Sequence, residues 1–248
     1  MYGLFSRIHR SVLWLGLAGA ACAANAQTAA TPEHDFSFNL GLTTDNRYRG
    51  ISQSRLKPAI SGGLDYAHSS GLYVGTWLTS IKWVKDAGGD ADFEWDVYGG
   101  YGGTAGALGY DVGFLHYNFP SHKLSVSPNT TEIYGALSWD VVTVKYSHSV
   151  TNLFGYSDSK NSGYLEASAT FDLGSGWSVT PHVGHQWIRH NSDFAYTDYS
   201  IGVSKDLGGG FVVSATALGS NADKALYVTP KGKFTGRTAL VVGVKYTF

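Results

Sequence analysis

The chain has 248 residues and a formal net charge of −1; 15% of residues are charged, 14% are aromatic, and there are 16 Tyr and 32 Gly. Soluble domains average about 25% charged residues, so this chain is poor in charge, and its near-neutral balance leaves no global field for nucleic acid. The single Cys and single Met are Cys22 and Met1, so everything after residue 22 lacks a disulfide framework, a thiol nucleophile and a cysteine metal site.

Residues 1–26 read as a cleaved signal peptide. Arg7, His9 and Arg10 supply a basic start, SVLWLGLAGAACA an apolar run, and ANA the small residues of a cleavage site before Gln27. That run is too short to span a bilayer. Gly19 stands where a lipoprotein signal has leucine ahead of Cys22. Residues 27–35 read as a short periplasmic segment, and 36–248 as one domain.

Within that domain the signal is period two. It marks strands at roughly 36–44, 57–68, 71–81, 92–103, 107–119, 130–139, 141–151, 162–173, 176–188, 196–206, 210–220 and 236–248. In the last, Leu240, Val242, Val244, Tyr246 and Phe248 share one face. Each segment has about the length of a tilted transmembrane strand, and helical periodicity is lacking. Connections alternate between tight (HSSG, GTAGA, WDV, LGSGW, LGGG) and long and polar (KDAGGDAD, SHKLSVSPN, GYSDSKN, RHNSD). This pattern predicts an all-β fold: a transmembrane antiparallel up-and-down β-barrel of about 12 strands, with short periplasmic turns and longer extracellular loops, in the outer membrane of a Gram-negative bacterium. A soluble β-sandwich has no reason to alternate turn lengths.

Aromatics near segment ends (Trp77, Trp83, Trp139, Trp177, Trp187, Tyr227, Tyr246) fit interfacial girdles. Pro181 falls mid-segment, where a closed barrel has no edge to host it, which predicts a bulge. Segment 71–81 is apolar on both faces, so either Tyr73 and Trp77 or Leu72, Val74 and Leu78 face lipid.

The stretch FNLGLTTDNRYRGISQS followed by KPAISGGLDYAHSSGLYVGTW resembles the TorF-type porin family of proteobacteria. The resemblance rests on Arg49, Gly50, Ser52, Gln53, Pro58, Ala59, Gly62, Gly63, Asp65, Tyr66, Gly71, Tyr73, Gly75 and Trp77, and on the terminal VGVKYTF. Asn46 departs from the pattern, which has tyrosine there. The resemblance implies an outer-membrane channel without a defined solute. Likeness to bacterial outer-membrane proteins in general implies that Phe248 is the signal read by the barrel-assembly machinery.

Alternation places Asn39, Asp65, Glu94, Asp96, Asp111, Glu132, Glu166 and Asp198 inside, with Lys145, Lys205 and Lys245. Seven acids against three lysines predict a narrow bore for small hydrophilic solutes that favours cations; the other reading is a filled barrel whose charges pair. Arg47, Arg49 and Arg55, with Lys57, crowd the first long loop. They either fold inward as a constriction, with Arg49 on a lumen carboxylate, or meet lipopolysaccharide phosphates outside; a third reading has Gly50 supplying a bend.

An outer-membrane lipid-modifying enzyme needs a Ser–His pair with an orienting group. His148 has Ser147 and Ser149 on the opposite face, and HSSG sits in a periplasmic turn. His116, His122, His182, His185 and His190 are scattered. The expectation is therefore a channel, with a closed structural or adhesive barrel without a pore as the alternative ahead of an enzyme, and with no cofactor and no metal. Its expected contacts are outer-membrane lipid, lipopolysaccharide, the assembly machinery and small solutes, and not nucleic acid.

Overall fold

A computed structural model of the protein describes residues 32–248. The expected signal peptide and most of the segment after it lie outside the described residues. Twelve antiparallel strands follow: β1 His34–Thr43, β2 Ala59–His68, β3 Leu72–Ser80, β4 Phe93–Ala105, β5 Leu108–Asn118, β6 Thr130–Trp139, β7 Val142–Ser149, β8 Gly163–Ala169 with its continuation Phe171–Gly174, β9 Trp177–Trp187, β10 Tyr196–Gly208, β11 Phe211–Ser220 and β12 Ala239–Thr247. Each pairs with its chain neighbours, and β1 pairs with β12, so the sheet closes without an edge. The segments expected from alternation each coincide with one of these strands, although β1 starts earlier, at His34.

Closure explains the composition. Every strand has one face outside and one inside. Leu40 (58% exposed), Ile60 (64%) and Leu240 (66%) belong to an outward apolar belt carried by every strand. Water would not tolerate a continuous surface of this kind; hydrocarbon matches it, and the closed ladder satisfies the backbone there. On β3 it is Leu72, Val74 and Leu78 that face out, while Trp77 packs inward.

All the tight turns gather at one rim. Ser175–Gly176 and Gly209–Gly210 take left-handed φ values of 52° and 78°, and 60° and 87°, as two-residue turns between twisted strands require. The long loops gather at the other rim and fold back over the bore. The β3–β4 loop carries a short helix, α1 (Trp83–Asp86). Ile81, Val84 and Ala91 from that loop pack against Tyr98, Leu115, Tyr117 and Phe119. A smaller group, Ile51, Tyr196 and Ala222, forms near β10–β12. At the loop rim, Lys82 and Lys85 each donate to Asp92 at 2.6 Å; Lys82 first and then Lys85 hold its carboxyl down to about 2.

Three expectations need correction. Trp77, Trp83 and Tyr227 are not girdle residues. Trp77 and Trp83 pack on the inner cluster, and Tyr227 donates to the Phe194 carbonyl inside the loops. Trp139, Trp177 and Trp187 do face out. Pro181 causes no bulge: it sits opposite Ile201, and register is kept on its other side from Ser168↔His182 to Phe171↔Val179. Instead β8 is interrupted at Thr170, whose N–H goes to the Val141 carbonyl at 2.9 Å on the far neighbour. Lys205 does not face the bore. It follows the outward Tyr199, Ile201 and Val203, lies 5.4 Å from the Trp177 ring and donates to the Ser175 carbonyl at the rim. A long lysine stem can reach polar groups this way from an apolar face.

Candidate functional site

The first long loop enters the bore as a miniature hairpin, Arg47–Tyr48 paired with Ile51–Ser52. Its turn is Arg49–Gly50, with φ of 45° and 78°. A Cβ on Gly50 would lie 2.6 Å from the Asp198 Cβ, so the tip presses on the far wall. The hairpin is held at its base by Asp45, which accepts from Arg47 Nε at 2.6 Å and from Ser52 Oγ at 2.6 Å. Arg47 Nη1 also caps the carbonyls of Gly50 and Thr235, each at 2.9 Å.

This geometry aims Arg49 across the lumen. Its guanidinium grips both Glu132 oxygens on β6, at 3.0 and 2.8 Å, and the Gln186 side-chain oxygen on β9 at 2.7 Å. It lies 4.7 Å from the Tyr48 ring centre and 4.1 Å from that of Tyr164. The side chains of Arg49 and Glu132 are 7% and 2% exposed. A bidentate fork between two aromatic faces is a task for arginine that lysine cannot copy.

A polar strip runs around the wall from β2 to β10. Glu166 pairs in register with Lys145, whose ammonium lies over the Tyr134 ring at 4.4 Å. His182 bridges Glu166 (3.1 Å) and Asp198 (3.6 Å), and Tyr164 donates to Asp198 at 2.9 Å. Asp111 accepts from Tyr73 at 2.6 Å. Asp65 accepts from Tyr98 and lies in the field of Lys245. Glu94 and Asp96 sit beside these on β4, lining a small cavity with Asn46, Tyr48, Gln53, Trp77 and Tyr117. Asn39 is buried on the inner face of β1.

Of the three loop arginines the structure brings only Arg49 to the lumen wall. Arg47 is a structural tie within the loop. Arg55 pairs with Asp86 at the exposed rim. Phe248 ends the chain beside β1, stacked on Phe38 at 5.7 Å and on Tyr246 at 5.5 Å. Sequence reasoning missed His182, Gln186 and Tyr164. The first two share their strand parity with Ser178 and Thr180, a polar stripe that Pro181 obscured.

Inward tyrosines have a consistent seat. Gly75 faces Tyr98, Gly100 faces Tyr73 and Gly113 faces Tyr134 directly across neighbouring strands. Tyr164 covers Gly184 diagonally. At Gly75 a Cβ would stand 2.6 Å from the Tyr98 hydroxyl. The rings lie flat along the wall because the residue beneath has no side chain, which accounts for inward-facing members of the large Tyr and Gly populations.

A family model described as a bacterial protein of unknown function (Gcw_chp) matches residues 26–248. The chain belongs to this family. No curated protein matches it. Among solved structures, this family member resembles the KdgM porin (TM-score 0.57, 9% identity, 86% of this chain and 99% of that one). It also resembles the NanC porin (0.57, 11%, 86% and 99%). A KdgM porin in complex with disordered oligogalacturonate gives a TM-score of 0.55 at 9% identity, covering 86% and 98%. At these identities the likeness establishes the shared barrel fold.

Proposed function

We propose that the protein is an outer-membrane porin of the TorF type, a non-enzymatic barrel that passes small hydrophilic solutes through a narrow bore. The observation that carries this reading is the Arg49 hairpin. An extracellular loop that turns inward and clamps a wall carboxylate 83 residues away in sequence is a constriction built at a defined height. The apolar belt and the resemblance in fold to KdgM and NanC porins support the membrane setting.

At and below the constriction Asp65, Asp111, Glu132, Glu166 and Asp198 outnumber Lys145, Lys245 and Arg49, so the bore favours cations and neutral solutes over anions. Oligogalacturonate is a polyanion, and an acidic strip argues against that kind of cargo here. Glu94 and Asp96 extend the acidic wall upward. Arg47 and Arg55 take no part in selection.

Refolded protein in planar bilayers is expected to give discrete conductance steps, with a reversal potential in asymmetric salt on the cation side. Absence of steps would reject the channel, and an anion-side reversal potential would reject the acidic-lumen argument.

A further inference from the structure

The described residues bring one mixed imidazole and carboxylate cluster together away from the bore, at the tight-turn rim. β1 and β2 pair so that His34 stands directly opposite His68, their ring centres 5.3 Å apart. Glu33 precedes them, its carbonyl accepting from the Ser69 N–H at 2.9 Å. Its carboxylate approaches His68 Nε2 at 3.6 Å. One ligand atom from each of the three residues falls within 4.8 Å of the others.

The second layer fixes which nitrogens face the cluster. At His68 the Ser70 N–H donates to Nδ1 at 3.1 Å and Ser70 Oγ lies 2.7 Å from the same nitrogen, so the Nε2 that faces Glu33 carries the ring proton and must give it up to a metal, with Nδ1 then donating to Ser70 Oγ. The Tyr66 hydroxyl engages Nδ1 of His34 at 2.9 Å, leaving its Nε2. Metal-bound histidines usually donate their other ring N–H to an acceptor, and the Tyr66 and Ser70 hydroxyl oxygens stand where they can accept it.

We propose that Glu33, His34 and His68 form a zinc-type divalent metal site on the periplasmic rim, with a fourth position open to water. Two imidazoles and a carboxylate suit a borderline metal, whereas calcium and magnesium prefer all-oxygen sets. Metal bonds of about 2.0–2.2 Å require the donors to close by roughly an ångström. The side chains can do this: that of Glu33 is 72% exposed and that of His68 28%. Once bound, the ion would clip the segment before β1 to the β2–β3 turn, beside the β1–β12 seam.

The test is calorimetric titration of zinc into the refolded mature barrel in detergent, with magnesium as comparison. One zinc per chain is expected, with no magnesium signal. His34→Gln and His68→Gln should each weaken binding by at least about tenfold, the scale of loss for even a supporting residue. Glu33→Gln lies ahead of the first strand and leaves the barrel intact if a histidine variant misfolds; it should weaken binding likewise. His190→Gln, in a loop at the opposite rim, should leave it unchanged. No zinc uptake by the unaltered protein, or equal uptake by all four variants, overturns the proposal. Neither result bears on conductance.

Discussion

Replacing Arg49 by Ala removes both bonds to Glu132 and the bond to Gln186, and it empties the space between the Tyr48 and Tyr164 rings. Glu132 is then left 2% exposed with its ionic partner gone. Breaking one side of a buried pair costs about 3–5 kcal/mol, and about 1.4 kcal/mol is a factor of ten in population. The hairpin should therefore leave the lumen wall in most molecules, while the closed ladder keeps the barrel folded. Single-channel recordings are expected to show higher conductance and a stronger cation preference, because a positive charge has gone and a carboxylate is newly exposed. Arg49→Lys should fall between, keeping the charge without the fork. The double variant Arg49→Ala with Glu132→Gln should restore the original selectivity while keeping the larger conductance. If Arg49→Ala matches the unaltered protein in both conductance and reversal potential, the constriction argument is wrong.

Three further outcomes follow from the same geometry. Arg55→Ala, at the exposed pair with Asp86, should change neither melting temperature nor selectivity, and a selectivity shift would return Arg55 to the constriction. Gly184→Ala drives a methyl group into the Tyr164 ring; overpacking of this kind costs about 1–3 kcal/mol, read as a lower transition in heat-modifiability gels together with altered conductance. Asp92 is held at about 2 by Lys82 and Lys85 against about 3.9 in an unfolded chain. Its contribution is thus complete above pH 4 and is lost as pH falls toward 2. Amide exchange in the β3–β4 loop should accelerate over that window, and Asp92→Asn should reduce the pH dependence, leaving the part due to Asp90, whose carboxyl Lys123 and then Lys85 also hold down.

The barrel was legible because period two is a local property: each strand declares its own two faces, and turn length declares the rim. Where both faces are apolar the code fails. Tyr73 and Trp77 oppose Leu72, Val74 and Leu78, and only the neighbouring loop cluster decides that the aromatics turn inward. Trp83 misled for a related reason, since an aromatic near a strand end suits headgroups and an inner plug equally. The direction of Arg49 was illegible because its partners, Glu132 and Gln186, lie 83 and 137 residues away. A glycine at the following position marks a turn without saying on which side of a wall that turn will lie. Lys205 was misplaced by treating charge as a sufficient reason to face water, although a flexible stem over Trp177 reaches a turn carbonyl from the outer face.

The flat tyrosines lead to a different kind of consequence. If the proposed channel function holds, the width of the bore is set by glycines lying beneath the tyrosine rings of the wall. A glycine on one strand decides whether the ring on the next lies along the wall or stands into the passage. At Gly75, where an added methyl would meet only the Tyr98 ring, a substitution would act like a screw turned from behind the panel, narrowing the opening while the charged residues of the lumen keep their identity. Chains of this kind can drift in pore calibre through positions that a survey of lumen-lining charge would pass over.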